Sequence, residues 1–382
     1  MSARMTITSG GSASWALRVL AAAAVVAALL WIPTHGTDSL IDTCTTGLIL
    51  MGAAMSLNLL LGFTGQLSLG HSAFFGIGVY TTAICVTRWG WSPFRTIPMA
   101  FAIAFVVGVA VSLPALRIKG VYLALVTLAL GLVFPNFIKW KKMEWLTNGT
   151  RGLDKTGFRF GRQSPTYEIF GWNPWGNLRG QNVKPFYYWV GIVIVVIVYL
   201  VCRGIVKSRP GRSLIAIRDN STAAAVMGVN LAVTKGVVFG LSAGLCAMPG
   251  SLLAMRTGTV TPDSALLTVA GSITLLVVVV VGGSGSLWGP VFGALVYQFI
   301  TEKTGDWSSD AKIPGLFRPF FSWAKTSPGS GIFALSLILL MFFAPFGIVG
   351  LWHQMIAKLV TVVPKPAGTA TISTEETAAA ET

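Results

Sequence analysis

Residues 39 to 72 read SLIDTCTTGLILMGAAMSLNLLLGFTGQLSLGHS, an apolar run that stops abruptly in glycines and polar side chains. From Ser39 to Gly62 the run is long enough to cross the hydrocarbon core of a bilayer, which takes about 20 mostly apolar residues in a helix. From Gly62 to Ser72 three glycines and five polar residues (Thr64, Gln66, Ser68, His71 and Ser72) interrupt it. Lipid cannot satisfy the backbone groups that such a break exposes, so it is tolerated only where protein or a water-filled path supplies partners. Two readings follow. Gln66, Ser68, His71 and Ser72 line the route of a polar solute, or the break is a tight turn at the membrane surface with a solvated histidine.

The rest of the chain has the same character. Hydrophobic residues make up 53% and charged residues only 11%, and the mean hydropathy is +0.71, which excludes an ordinary soluble globular domain. Further runs able to span occur at residues 14 to 32, 70 to 87, 97 to 116, 120 to 140, 186 to 203, 231 to 255, 265 to 283, 287 to 302 and 331 to 351. The expected fold class is therefore an all-α polytopic membrane protein with about ten transmembrane helices. The count falls to about eight if the short, glycine-rich segments at 70 to 87 and 287 to 302 are re-entrant. Residues 14 to 32 lack a persuasive cleavage site and read as a retained span.

Orientation follows from Lys and Arg in short loops. Arg203, Lys207, Arg209, Arg212 and Arg218 crowd one connection, and Arg117 with Lys119 occupy another, so both are expected to be cytoplasmic. With ten spans both termini then lie inside. The long loop 141 to 185 falls outside although it holds several basic residues. The division is a cytoplasmic tail at 1 to 13, a transmembrane domain at 14 to 351 and a cytoplasmic, largely disordered tail at 352 to 382. Within the membrane domain, 141 to 185 is the external loop and 204 to 230 a cytoplasmic segment. The net charge of +15 is read as facing anionic membrane lipid, with no nucleic-acid partner.

Glycines four apart at 236, 240 and 244, and at 285, 289 and 293, predict closely packed helices. Gly65-Gln66-Leu67-Ser68-Leu69-Gly70, leading to Phe75-Gly76 and Tyr80, is echoed by Gly283-Ser284-Gly285-Ser286-Leu287, leading to Phe292-Gly293 and Tyr297. Two related halves would produce such an echo. In the segment Ser208 to Asn220, Pro210 and Gly211 break the chain, and Leu214, Ile217 and Arg218 fall at helical spacing. This element either lies on anionic lipid or fits a groove on another protein. Asp263, in the turn Thr257 to Ser264, is expected to cap the following helix.

Catalytic chemistry finds no support. No phosphate-binding GxxxxGK[ST] or zinc-type HExxH pattern occurs, and His35, His71 and His353 share no metal-ligand spacing, so no catalytic residue and no metal is expected. Cys44, Cys85, Cys202 and Cys246 read as packing residues. Carboxylates are scarce within the spans, which argues against an ion-coupled carrier.

Three blocks resemble a known family. They are GFTGQLSLGHSAFFGIGVYTTA from Gly62 to Ala83, SRPGRSLIAIRDNSTAAAVMGVNLAVTK from Ser208 to Lys235, and TPDSALLTVAGSITLLVVVVVGGSGSLWGPVFGA from Thr261 to Ala294. They are similar to the integral-membrane permeases of branched-chain amino acid ABC importers, the LivM type, over residues 39 to 300. The resemblance implies an ABC importer permease fold with two pseudo-related halves, in the bacterial inner membrane. It also implies a second related permease subunit, two cytoplasmic ATPase subunits that carry the ATP and Mg, and an external solute-binding protein. This chain would itself bind no cofactor. In such permeases the segment matching Gly211 to Gly228 docks in the ATPase cleft, which carries a coupling role onto Gly211, Arg212, Leu214, Ile217, Arg218, Asp219 and Asn220. Permeases for urea and short amides share similar motifs and stand as an alternative. From the residues alone a self-sufficient channel or secondary carrier, and a membrane subunit without a pathway, also remain open.

Overall fold

A computed structural model describes residues 5–8, 29, 31–33, 36–115, 121–153, 183–309, 347–351 and 360–363. The chain divides into two units, one of residues 35–351 and one of residues 1–34 with 352–382. The second unit contains a parallel strand pair, β1 (Met5–Thr8) with β2 (Val360–Val363), built from Thr, Ile and Val residues that suit extended backbone. Beyond this pair the long elements among the described residues are helices, as the expected fold class requires. The spans expected at 14 to 32 and 331 to 351 lie almost wholly outside the described residues, as does most of the loop 141 to 185.

The larger unit is helical. Its long elements are α1 (Asp38–Thr64), α2 (His71–Trp89), α3 (Pro93–Ala115) and α4 (Val121–Ile138), and then, after a four-residue α5 (Glu144–Thr147), α6 (Val183–Lys207). The short α7 (Arg209–Asp219) and α8 (Ser221–Val226) lead to α9 (Leu231–Thr257), α10 (Val269–Gly282) and α11 (Gly289–Ser309). Each of the eight runs expected between residues 39 and 302 coincides with one of these helices. Among the described residues, four helices are long and apolar enough to cross a membrane, α1, α3, α6 and α9, and a fifth if the pair Tyr122–Ile138 and Lys141–Thr147, bent by 60°, counts as one span. α10 is apolar but shorter. Among the described residues α2, α10 and α11 do not qualify by length and composition, and the two outermost expected spans fall almost wholly outside those residues.

Helix ends are set by local chemistry. The Thr37 hydroxyl accepts from the Leu40 amide to start α1, and Gly65, with φ 68°, ends it in the left-handed conformation that glycine tolerates best. The Asn230 side chain accepts from the Val233 amide to start α9, which Gly258 ends in the same way. α1 and α9 form the centre, with 83% of the apolar window of each buried, against 28% in α3 and α6. The outward faces of α3, α4 and α6 carry exposed apolar residues such as Val106, Leu113, Leu132, Val193 and Leu200, as lipid contact requires. The glycines of α9 bring backbones together: a Cβ on Gly240 would lie 2.9 Å from the Phe105 carbonyl of α3, and one on Gly244 3.0 Å from that of Phe101. Gly289 and Gly293 approach α10 similarly, whereas Gly285 sits in the turn between α10 and α11 rather than on a helix.

These packings give the unit two chemically distinct ends. One carries the breaks at 62–70 and 283–288 with the basic residues Arg203 to Arg218, and is called here the basic end. At the opposite, paired end, Asp42 takes Arg256 and Lys184, and Asp38 also takes Lys184. There Lys139 pairs with Asp263, so Asp263 bridges α4 to the turn after α9, and no backbone hydrogen bond marks it as the expected cap of the next helix.

Candidate functional site

At the basic end α7 is held by its apolar side. A Cβ on Gly211 would stand 2.2 Å from the Val206 carbonyl, so the corner from α6 into α7 needs a residue without one. Leu214 and Ile217 are buried, at 0% and 4% exposure, where α7 packs on α1, α6 and α9. Arg212, Asp219 and Asn220 are exposed, and the Arg218 side chain is partly so. The Asn220 side chain accepts from the Thr222 and Ala223 amides, both at 3.0 Å, and so caps α8 and fixes its direction. Beyond it Val226 and Met227 are 82% and 84% exposed. Sequence reasoning passed over this apolar pair, although its place just before Gly228, with φ 86°, would have marked a turn tip.

The seven coupling candidates thus divide by face. Gly211, Leu214 and Ile217 are buried against their own chain, while Arg212, Asp219 and Asn220 are exposed. Arg218 does something different: its Nη1 donates to the Gly62 carbonyl at 2.9 Å and its Nε to Asp219 Oδ1 at 3.1 Å. Asn58 lies close by, accepting from the Gly285 amide at 3.1 Å and donating to the Ser286 carbonyl at 2.8 Å. The end of α1, the second break and α7 therefore meet at one place, where Gly62 touches Gly285.

The four pathway candidates occupy the first break. Ser68, His71 and Ser72 are fully buried, so the histidine is not solvated, while Gln66 is half-buried and its Nε2 has no hydrogen-bond partner among the described residues. His71 Nδ1 lies 2.9 Å from Ser68 Oγ and Nε2 2.8 Å from Ser242 Oγ on α9. Ser242 gives its only proton to the Ser56 carbonyl of α1, at 2.6 Å, so it must accept from His71. The imidazole therefore carries its proton on Nε2, and Nδ1 accepts from Ser68. Phe74 and Phe239 stand edge-on to the ring at 5.7 and 6.4 Å and close this network off. Ser72 is tied to α10 instead, its amide donating to Ser272 Oγ at 2.9 Å and its hydroxyl accepting from the same atom at 2.7 Å. The Leu69 amide reaches Thr127 of α4 at 3.0 Å. The break is thus anchored to α1, α4, α9 and α10 through side chains far apart in sequence, which satisfies backbone groups that lipid would leave bare. Ser242, Ser272, Thr127 and Asn58 carried no local signal beyond being polar in apolar runs.

The described residues hold no group of three or more His, Cys, Asp or Glu side chains able to bind a metal. The four cysteines are free thiols, with Cys85, Cys202 and Cys246 buried in the helix packing.

Comparison with known proteins places these features in context. A family model described as "Branched-chain amino acid transport system / permease component" matches residues 39–341. The chain is 29% identical over 297 residues to the high-affinity branched-chain amino acid transport system permease protein LivM of Escherichia coli, covering 75% of this chain and 68% of that one. It is 23% identical over 335 residues to BraD of Pseudomonas aeruginosa, a permease protein of the same description, covering 83% of this chain and 96% of that one. A shorter match of 34% identity over 124 residues, 31% of this chain, is to the fructose import permease protein FrcC of Rhizobium meliloti. No solved structure matches.

Proposed function

The chain belongs to the family of permease components of branched-chain amino acid transport systems, and on that premise we propose that it imports branched-chain or similar hydrophobic amino acids. It is an integral membrane protein and the permease subunit of an ABC importer. The amino-acid relatives cover most of the chain and the fructose permease less than a third, which favours amino acids over sugars. Energy comes from outside the chain. Two cytoplasmic ATPase subunits bind ATP and Mg, this subunit binds neither, a second related permease completes the pathway, and an external binding protein delivers the solute.

The observation that carries this reading is the two-faced α7–α8 segment. Its inner face is buried in the permease, and its outer face presents Arg212, Asp219 and the bare pair Val226 and Met227. A helix of this kind suits a groove on a partner better than free solvent does. Closure of an ATPase dimer around it would switch the pathway between outward and inward access. The basic end is then cytoplasmic, in accord with its exposed Arg203, Lys207, Arg209 and Arg212. We assign both ends of the chain to the cytoplasmic side of the inner membrane, a reading supported by the pairing of Met5–Thr8 with Val360–Val363, which keeps the two ends together. Of the four pathway candidates, half-buried Gln66 borders the pathway at its cytoplasmic mouth, where its Nε2 has hydrogen-bonding capacity to offer, and the fully buried Ser68, His71 and Ser72 hold the break in place behind it.

The test is to tag the chain, purify it gently from native membranes and assay the product in vesicles. Recovery of two ATPase chains and a second permease, with ATP-dependent leucine uptake stimulated by a binding protein, is the expected result. A chain that purifies alone and passes leucine without ATP would refute the importer.

A further inference from the structure

Arg218 shares the exposed segment with Arg212, yet its guanidinium turns back into its own chain. The carbonyl it meets, Gly62, is in the last turn of α1, where carbonyls lack intrahelical partners. The neighbouring Leu60 and Leu61 carbonyls are satisfied by the Gly65 and Gln66 amides, so Arg218 supplies a cap from a remote segment. Its stem lies over Gly65, where a Cβ would be 3.1 Å from Arg218 Cγ, and its Nη1 would be 3.5 Å from a Cβ on Gly285. The Asp219 carboxylate holds the other side of the fork. Asn58 then reads the Gly285–Ser286 backbone in both directions, through one donor and one acceptor. Gly62 and Gly285 are so close that a Cβ on Gly62 would fall 2.4 Å from the Gly285 amide nitrogen.

We propose that Arg218, with Asn58 behind it, is the joint through which movement of α7–α8 reaches the end of α1 and the turn between α10 and α11, so that Arg218 acts inside the permease and not on the ATPase. This rests on the reading of α7–α8 as the ATPase-coupling segment. The apolar packing of Leu214 and Ile217 can slide, because it has no directional preference. The guanidinium cannot slide without losing its acceptors, because its donors form a rigid planar fork. The two breaks are where helix backbone has already been interrupted, so they can change direction without unwinding a span. A pull on α7 is thereby delivered to α1, α10 and α11 together.

The experiment compares Arg218→Lys with Val226→Glu in the full complex, reading ATPase subunits retained, ATP hydrolysis and leucine uptake in vesicles. Lysine keeps the charge that a docking contact or a lipid headgroup would need and loses the fork. R218K is expected to hold the ATPase subunits at the native ratio and hydrolyse ATP, while uptake per ATP falls at least tenfold. V226E, on the outer tip, is expected to release the ATPases. R218K that loses its ATPases as V226E does makes Arg218 a docking residue and overturns the proposal, as does R218K uptake within twofold of the native complex. Should R218K not accumulate in membranes, Asn58→Leu, close in size and lacking both hydrogen bonds, must show the same uncoupling, and normal coupling in N58L is equally fatal. A native complex that holds no ATPase at all overturns the underlying importer reading instead, and the joint with it.

Discussion

The two ends of the membrane unit are held together by different physics. At the paired end, beside a buried backbone bridge between Leu153 and Val260, the side-chain ties are ionic: Asp42 with Arg256 at 3.3 Å and Lys184 at 3.6 Å, Asp38 with Lys184 at 3.3 Å, and Lys139 with Asp263. The Asp38 and Asp263 side chains are 59% and 70% exposed, and such pairs contribute about 0 to 1 kcal/mol each and weaken with salt. At the basic end the ties are directional bonds between side chains and backbone, with backbones in direct contact at Gly62 and Gly285. The difference teaches that the ion pairs of the paired end can loosen at little cost, whereas the ties of the basic end must move as a block or be lost several together.

That contrast can be broken most forcefully at Gly62. A larger residue there collides with the Gly285 backbone and Asn58, and overpacking of this kind typically costs about 1 to 3 kcal/mol. Gly62→Val should abolish leucine uptake, with membrane insertion followed by quantitative blotting, and uptake near the native rate would mean that the two breaks do not need to touch. The next effect in size belongs to His71. Its replacement by Ala removes two buried hydrogen bonds and strands Ser68, which should lower stability by about 2 to 4 kcal/mol. The readout is a drop of several degrees in the melting temperature of the purified complex, and an unchanged melt would show that the network around the ring is not structural.

Smaller effects sharpen the other half of the comparison. Asp42→Asn removes one ionic partner each from Arg256 and Lys184, which keep Thr46 and Asp38, and should cost about 1 kcal/mol or less. Its melting temperature should differ from the native one at low salt and converge with it at high salt, and a loss that ignores salt would place Asp42 among the directional ties. Lys139→Gln should be the mildest, within about 0.5 kcal/mol and with uptake intact, because its partner Asp263 is well exposed. A large loss of uptake there would make the bridge from α4 to the turn after α9 a working part.

Much of this was open to reading in the chain itself. The apolar runs set where helices form, since a long apolar segment has few other stable conformations in lipid. The break at 62–72 and the amphipathic segment at 208–220 were visible as departures from that pattern, and the glycines four apart on α9 announced its close packing on α3. The alternative of a solvated His71 and the expected cap at Asp263 went another way, because each side chain took a partner from a distant part of the chain: Ser242 in one case and Lys139 in the other.

The sequence by itself determined that this is a membrane permease, which segments form apolar helices, where backbone is interrupted and which connecting element has two faces, because these depend on composition and short-range period. Only the tertiary structure decided that Arg218 turns inward to Gly62, that Asn58 clasps the second turn and that His71 is locked between Ser68 and Ser242. A hydrogen bond between residues more than 150 positions apart, as in Arg218 with Gly62, leaves no local trace in the chain, since its geometry is created by the packing of the helices that carry the two partners.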